Sequence, residues 1–329
     1  MSGKQIGLPW VEKYRPNKLD DLISHTEIIS TIKKFIENEQ LPHLLFYGPP
    51  GTGKTSTILA VAKELYGAKN LKKMVLELNA SDARGIDVVR NEILNFASSR
   101  SLHCKGFKVI ILDECDAMTR DAQAALRRVM EKFTKNVRFC LICNYLGKLI
   151  PAIQSRCTRF RFAPLSVEQM MPRINHVVEE EGIDIDQNGM DLLLKMAEGD
   201  MRRSLNILQA SHLAFNKVTD DIVYKVTGRP RRNDIRRMME WLLNQDIKYC
   251  MDSIEELMLE NGIALNDVLT DLYEEICEAD LPDIPKAEIL SALADIEYRL
   301  NIGATEKIQL AVIVAAFSKV RNTVPRMEE

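Results

Sequence analysis

The sequence has no long apolar run, no large excess of either charge and no paired arrangement of its cysteines. Its 329 residues carry a formal net charge of −3. A transmembrane helix needs an apolar stretch of about 18 residues or more, so none is expected, and we predict no membrane partner. Because the chain is slightly acidic, any nucleic acid must be held by a local basic patch rather than by overall charge.

The seven cysteines follow no disulfide framework. No secretory leader is evident, so we expect a soluble, reduced, intracellular protein. Cys140 and Cys143 have the spacing of a redox or zinc pair, but they fall in a run of strand-forming residues, where positions three apart face opposite sides of a sheet. No second pair with metal-ligand spacing accompanies them. We therefore predict buried core thiols at both positions.

What the sequence does contain is a strong nucleotide-binding motif. Residues 48–55 are Gly-Pro-Pro-Gly-Thr-Gly-Lys-Thr and match the P-loop pattern G-x-x-x-x-G-K-[ST] at every fixed position. The apolar run 44–47 before it predicts a buried strand, and residues 56–66 after it have helical spacing. Glycines let backbone N–H groups surround phosphate oxygens at the positive end of a helix. A simple glycine-proline turn before a helix is the alternative, and it leaves the preceding strand unexplained.

The chemistry of this motif needs a lysine, a hydroxyl and a nearby acid. Lys54 is expected to reach the β- and γ-phosphates of ATP, and the Thr55 hydroxyl to bind Mg²⁺. A second apolar run, 109–112, is followed by Asp113 and Glu114. In P-loop proteins such an aspartate holds Mg²⁺, and an adjacent glutamate orients and deprotonates the attacking water.

Apolar segments alternate with helical patterns over residues 1–165, and this alternation predicts an α/β domain with a five-stranded parallel sheet. The predicted strands are 44–47, 73–78, 107–113, 137–143 and 158–162. Asn144 follows the fourth of them, at the edge where ligands bind in open α/β sheets.

From residue 166 onward the pattern predicts helices alone, with strands absent. The proline-containing basic stretch 228–233 is the best candidate for a linker. We predict a nucleotide-binding domain over 1–165, a small helical domain over 166–228 and an all-α domain over 229–329. The last carries no catalytic pattern, so assembly is favoured over chemistry as its role.

The spacing of residues alone does not decide the roles of two features. Residues 8–16 contain two prolines and are predicted to be extended. Within them, Val11 and Arg15 either pack in the core or form a wall of an adenine pocket. The arginines at 84 and 90 are typical of a solvated helix surface when considered by themselves.

Several motifs occur in the order found in the small subunits of replication factor C, a clamp loader of the AAA+ ATPase family. They are Leu8–Pro16, Gly48–Thr55, Glu77–Asp82, Leu112–Asp116, Ser155–Cys157 and Gly199–Arg202. Together they lie in the first two thirds of the chain, and the helical remainder resembles the collar of those subunits. The amino-acid sequences of these motifs are most similar to those of the smallest eukaryotic subunit. One departure is Cys115, where the family usually has alanine, and a small thiol is expected to pack much as alanine does.

The resemblance implies roles that spacing could not give. Asn144 corresponds to the first sensor near the γ-phosphate, and Arg202 to the second sensor, which reaches the nucleotide from the helical lid. Arg156 corresponds to the arginine finger, which serves the ATP of a neighbouring subunit. Arg84, Arg90 and Lys148 correspond to residues that follow the DNA backbone. The residues expected to bind ATP are Val11, Arg15, Ile23, Gly48, Pro49, Pro50, Gly51, Thr52, Gly53, Lys54, Thr55, Ser56, Asn144 and Arg202.

The resemblance also implies a function: a subunit of a hetero-pentamer that uses ATP and Mg²⁺ to open the sliding clamp PCNA and place it on primer–template DNA in the nucleus, for replication and repair. Lys54, Asp113, Glu114 and, in the neighbouring site, Arg156 are the expected catalytic residues. An alternative is a structural subunit that binds ATP without turning it over. A small-molecule kinase sharing the P-loop is a third hypothesis, and the motifs around Arg156 and Arg202 disfavour it.

Overall fold

The computed structural model describes residues 7–16, 18–22, 24–38, 40–80, 86–99, 106–215 and 217–323. Its helices are α1 (Trp10–Lys13), α2 (Thr26–Glu37), α3 (Lys54–Met74), α4 (Ile86–Ser98), α5 (Arg120–Phe133), α6 (Pro151–Gln154), α7 (Val167–Glu181), α8 (Gln187–Ala197), α9 (Met201–Ala214), α10 (Asp220–Thr227), α11 (Arg232–Asn244), α12 (Ile247–Asn261), α13 (Leu265–Glu278), α14 (Asp283–Asn301) and α15 (Glu306–Thr323). Its strands are β1 (Leu44–Tyr47), β2 (Val75–Asn79), β3 (Lys108–Asp113), β4 (Val137–Cys143), β5 (Thr158–Arg161), β6 (Asp184–Ile185) and β7 (Lys217–Val218). The chain divides into two compact units, Met1–Val218 and Thr219–Glu329.

Strands β1 to β5 form one sheet in the order β2-β3-β4-β1-β5, and every neighbouring pair is parallel. The predicted five-stranded parallel sheet is therefore confirmed. Strand β4 lies between β1 and β3, so the carboxyl ends of these three strands are adjacent. The P-loop follows β1, Asn144 follows β4, and Asp113 ends β3. The topology thus brings the predicted phosphate and metal residues to one edge of the sheet.

The central strands β1, β3 and β4 are buried on both faces, which explains why they are rich in apolar residues, whereas the edge strands β2 and β5 are partly exposed. Phe46 packs in the cluster on one face and Leu45 in the cluster on the other. Cys140 belongs to the first cluster and Cys143 to the second, and each is 1% exposed. Burial raises the pKa of the Cys143 thiol to about 12. The prediction of core thiols on opposite faces is confirmed.

Two predictions were wrong: the extended conformation of residues 8–16 and the start of the second strand. Residues 8–16 are not wholly extended, because Trp10–Lys13 forms one helical turn after Pro9, whose φ of −55° suits a helix start. Strand β2 begins at Val75 rather than at residue 73, because α3 continues to Met74. It does so across a break at Gly67, where φ is 66°.

The prediction that strands stop after residue 165 was also wrong. Strands β6 and β7 pair in parallel, with Asp184 opposite Lys217 and Ile185 opposite Val218. Two-residue strands carry too little apolar alternation to be distinguished from turns by periodicity.

The second unit contains helices α10 to α15, and its core includes Leu272, Ile296 and Phe317 from three different helices. The basic stretch predicted as a linker lies inside this unit. Arg229 there is 14% exposed and is within 4.0 Å of Asp267. The division into three domains stays a prediction. In the part of the chain that the structure describes, no helix is both long and apolar enough to cross a bilayer.

His43 links β1 to β4 and gives the fold a pH dependence. Its Nδ1 accepts a hydrogen bond of 3.1 Å from the backbone N–H of Phe139, so the ring is neutral at this nitrogen. Burial, assisted by the charge of Arg138, lowers the pKa of His43 to about 4. In the unfolded chain the pKa of histidine is about 6.5. Between these values only the unfolded state binds the proton, so stability falls as pH falls from about 6.5 to 4.

We expect His43→Asn to flatten this dependence, because the asparagine oxygen can accept the same hydrogen bond but does not titrate. The wild-type protein should lose about 3 kcal/mol of stability across this range through His43. The measurement is the midpoint of thermal unfolding of both proteins between pH 4.5 and 7. If the unfolding midpoints of the two proteins changed with pH in parallel, His43 would not contribute to the pH dependence of stability.

Candidate nucleotide-binding site

A cleft of about 210 Å³ opens at the carboxyl edge of the sheet in the first unit. Its walls come from five places: the segment 11–16, the residues Asp21, Leu22 and Ser24, the P-loop, the ends of β3 and β4, and helices α7 and α9. The predicted residues that line it are Val11, Arg15, Pro50, Gly51, Thr52, Gly53, Lys54, Thr55, Ser56, Asp113, Glu114, Asn144 and Arg202. The fold therefore brings residues from distant parts of the sequence into one cavity.

The glycines of the P-loop fit because a side chain would collide at two of them. At Gly48, where φ is 145°, an added Cβ would lie 2.0 Å from the carbonyl oxygen of Phe162. At Gly51, where φ is 67°, it would lie 1.6 Å from Asp200 Oδ1. The loop is therefore held between the end of β5 and the start of α9, and only glycine permits this close approach.

Lys54 lies at the floor of the cleft and is 7% exposed. Its Nζ donates to the carbonyl oxygens of Gly48 at 2.8 Å and Pro49 at 2.7 Å, and to Asn144 Oδ1 at 3.1 Å. Burial lowers the pKa of Lys54, while the nearby Asp113 carboxylate raises it. A partly desolvated ammonium group at the start of a helix is suited to a phosphate ligand, whose negative charge would offset the cost of burial.

Thr55 and Asp113 supply the oxygen atoms that a magnesium ion would need. Thr55 Oγ1 donates to Asp113 Oδ2 at 2.8 Å, so a hydroxyl and a carboxylate meet in the cleft. Magnesium is commonly bound by one or two protein oxygens together with waters and substrate phosphates. The residues present therefore fit Mg²⁺ bound beside a nucleotide.

Glu114 is placed beside this pair by an unusual backbone conformation. Its φ of 54° and ψ of 37° are in the left-handed region, and its N–H donates to Asp113 Oδ1 at 2.8 Å. Such strain in a residue other than glycine persists where surrounding structure holds it, and it is common at functional sites. The turn leaves the exposed Glu114 carboxylate at the cleft wall, where it can reach a water molecule.

The amino-terminal segment reaches the P-loop helix. Arg15 Nε donates to Ser56 Oγ at 3.3 Å, and Val11 lines the same cleft. The two residues that spacing left open therefore both lie at the cavity rather than only in the core. Ile23, the third predicted residue of this group, lies outside the described residues.

Arg202 on helix α9 lines the cleft, and the first residues of this helix contact the P-loop. Asp200 caps the helix, since its Oδ1 accepts from the backbone N–H groups of Arg202 at 2.7 Å and Arg203 at 3.1 Å. The N–H of Met201 donates to the carbonyl oxygen of Gly51 at 3.3 Å. Arg202 is close enough to Lys54 to lower its pKa. A second cation thus lies near Lys54.

The other predicted residues lie elsewhere. Arg156 is not among the residues that line the cleft; it contacts Glu131, and its Nη1 donates to the carbonyl oxygen of Ala152 at 2.7 Å. Lys148 is exposed, with its Nζ 5.0 Å from the centre of the Tyr145 ring. Arg84 lies outside the described residues, and of Arg90 only its place on α4 is described.

Sequence reasoning missed Asp200, which caps α9 beside the P-loop, and several residues that line the cleft itself. Asp200 stood in a quoted motif without a role, although an aspartate immediately before a helix is a recognisable N-cap. Tyr14, Gln169 and Arg173 line the cavity. Nothing in the periodicity of α7 marks Arg173, because its position depends on how that helix packs against the amino-terminal segment.

Cys115 is fully buried, and its thiol donates to the carbonyl oxygen of Leu112 at 3.1 Å. It therefore packs within the core below the acidic residues, as a small residue was expected to do.

Comparison with known proteins identifies two families along the chain. Residues 44–165 match the model of the ATPase family associated with various cellular activities (AAA), and residues 230–316 match the replication factor C C-terminal domain. The Thermotoga maritima RuvB Holliday junction branch migration motor shares the fold, with a TM-score of 0.52 at 17% identity over 79% of this chain and 89% of RuvB.

Curated relatives match over almost the whole length. Replication factor C subunit 5 of Homo sapiens is 59% identical over 96% of this chain and 93% of its own length. Replication factor C subunit 3 of Schizosaccharomyces pombe is 49% identical over 95% and 92%. These relatives are consistent with the subunit that the motif sequences resemble. The chain belongs to the replication factor C family of clamp-loader subunits and carries its AAA ATPase domain.

Proposed function

We propose that this chain binds and hydrolyses ATP as one subunit of a replication factor C hetero-pentamer. In that complex it helps to open the sliding clamp PCNA and to place it on primer–template DNA, in replication and repair in the nucleus. The observation that carries the proposal is the convergence of Lys54, Asn144, Thr55, Asp113 and Glu114 at one edge of the sheet.

Each of these residues has a defined task at this edge. Lys54 binds the β- and γ-phosphates, with Arg202 reaching them from α9. Thr55 and Asp113 hold Mg²⁺, which when bound neutralises charge on the phosphate oxygens. Glu114 orients a water molecule and accepts its proton as it attacks the γ-phosphate. Val11 and Arg15 contact the nucleobase, and Ile23, which lies outside the described residues, stays a predicted third contact.

The alternative is an ATP-binding subunit with little turnover of its own. It requires a defect in the hydrolytic residues, and Lys54, Thr55, Asp113 and Glu114 are all intact. Their contacts also leave the Glu114 carboxylate exposed at the cleft. Hydrolysis is therefore the better supported of the two functions.

We also propose that each ATP site is completed by a residue of the neighbouring subunit. Arg156 lies away from its own cleft and is exposed enough to act on the ATP of an adjacent subunit. Arg84, Arg90 and Lys148 would contact DNA phosphates, a role that suits a protein whose overall charge is slightly negative. Residues 166–228 would act as the lid of the ATPase domain, and residues 229–329 as the collar that holds the pentamer together.

We expect Lys54→Ala to weaken ATP binding by about 10- to 100-fold, because it removes charge-assisted hydrogen bonds to the phosphates. The measurement is isothermal titration of MgATP into the purified protein. Lys69→Ala is the matched control, since Lys69 is exposed on the same helix and does not line the cleft. Equal affinity in Lys54→Ala and wild type would refute the assignment of the phosphate site.

A further inference from the structure

The segment Trp10–Arg15 contributes Val11, Tyr14 and Arg15 to one wall of the cleft, and side chains of α9 hold its first residue. The backbone N–H of Trp10 donates to Gln209 Oε1 at 3.0 Å. The Trp10 side chain is 6% exposed, and its ring centre lies 5.7 Å from that of His212. The beginning of this wall is therefore attached to the lid helix that also carries Arg202.

Helix α7 holds the end of the same segment. Tyr14 Oη donates to Glu181 Oε1 at 2.5 Å, and Lys13 forms an ion pair with the same carboxylate. The Tyr14 ring makes an edge contact with His176, with centres 6.1 Å apart. One turn further back along α7, Arg173 Nη2 donates to the backbone carbonyl oxygen of Tyr14 at 2.6 Å.

Arg173 differs from the other residues that hold this segment because it also lines the cleft. Its guanidinium group is partly buried, and burial lowers its pKa while Asp21 raises it. A guanidinium group has five N–H donors in a fixed plane, so it can hold a carbonyl oxygen in one position. The carbonyl that it holds belongs to the residue next to Arg15.

Arg173 lines the cleft beside the amino-terminal segment, where it contacts the Tyr14 carbonyl. Charged groups that shift the pKa of Lys54 include Asp113 and Arg202. Asp21, which lies two residues before the predicted base-binding position 23, raises the pKa of Arg173. Arg15, on the other side of the held carbonyl, reaches Ser56 on the P-loop helix.

We propose that Arg173 is a positioning residue for the nucleobase: it holds the Tyr14 carbonyl and thereby fixes Val11 and Arg15 against the base of ATP. This inference rests on the proposed function, because it requires ATP in the cleft. It assigns a task to α7 of the lid that is separate from the phosphate contact of Arg202 on α9.

The test compares a ligand that has a base with one that has none. MgATP and magnesium triphosphate are titrated into wild type, Arg173→Met and Arg173→Lys. We expect Arg173→Met to weaken ATP binding by about tenfold, as for loss of one charge-assisted hydrogen bond, and to change triphosphate binding by less than about twofold. Arg173→Lys should recover part of the ATP affinity, because its ammonium group can still donate to the Tyr14 carbonyl.

Arg203→Met is the matched control, since Arg203 is on α9, pairs with Glu198 and does not line the cleft. It should bind both ligands as wild type does. Equal weakening of ATP and triphosphate in Arg173→Met would indicate a phosphate contact and overturn the proposal. Unchanged ATP binding in Arg173→Met, with wild type binding ATP normally, would overturn it as well. If wild type itself failed to bind ATP, the proposed function would fall first.

Discussion

Replacing Arg156 with alanine is expected to slow ATP hydrolysis at the neighbouring subunit's site by about 10³- to 10⁵-fold, the usual effect of removing an arginine finger. The same change should leave the ATP affinity of this chain nearly unaltered. An arginine finger stabilises negative charge that develops on the transferring phosphoryl group, so its loss appears in the rate rather than in binding.

The position of Arg156 supports an effect on hydrolysis at the neighbouring site without an effect on ATP binding by its own subunit. It follows α6 and precedes β5, and it does not line the cleft of its own subunit. Its side chain is 37% exposed and contacts Glu131, which also lies 3.8 Å from Arg127. If Arg156 were only a surface partner of Glu131, its removal would cost at most about 1 kcal/mol of stability and no activity.

Arg127→Ala is the matched control, because it removes the other arginine near Glu131. The measurement is site-resolved ATP turnover in the reconstituted pentamer, with hydrolysis at the other sites disabled. Turnover at the neighbouring site that is equal in Arg156→Ala, Arg127→Ala and wild type would exclude the role in trans. The isolated chain should also be a poor ATPase, since its own site lacks a finger from a neighbour.

The second large effect is expected from Glu114→Gln. The amide keeps the size of the side chain but cannot accept a proton from water, so hydrolysis at this site should fall by about 10²- to 10⁴-fold. ATP should still bind, because Glu114 is not assigned to the phosphates. A complex with this variant should engage PCNA and DNA and then release them slowly.

Quenched single-turnover measurement of bound ATP in the pentamer tests this expectation. Glu77→Gln makes the same chemical change on strand β2, where the side chain is exposed and does not line the cleft. It should hydrolyse ATP at the wild-type rate. A wild-type rate in Glu114→Gln would mean that another group activates the water.

The parts of the fold that the sequence predicted best are those specified by local physics. Val137–Cys143 was predicted at the bounds observed, because an apolar run buried on both faces ends sharply at polar residues. Thr119 is of a residue type that commonly caps helices, and its Oγ1 accepts from the N–H of Ala122 at 3.3 Å. The P-loop was recognised for the same reason, since its glycines and lysine are required by the phosphate chemistry itself.

The parts that could not be predicted depend on tertiary packing. Helical spacing was recognised only over residues 56–66, yet α3 continues across Gly67 to Met74 and displaces the start of β2. The contact of Asp200 with Gly51 joins residues far apart in sequence, and no local pattern encodes it. Arg173 is similar: its bond to the Tyr14 carbonyl exists only because α7 packs beside the amino-terminal segment.

The central claim is that this chain hydrolyses ATP as part of a clamp loader. The most direct measurement is steady-state hydrolysis by the reconstituted pentamer in which only this chain keeps its P-loop lysine, with PCNA and primer–template DNA present. We predict turnover clearly above the level seen when Lys54→Ala removes this last site as well. Turnover that is equal in the two complexes, while ATP still binds to this chain, would contradict the claim and favour an ATP-binding structural subunit.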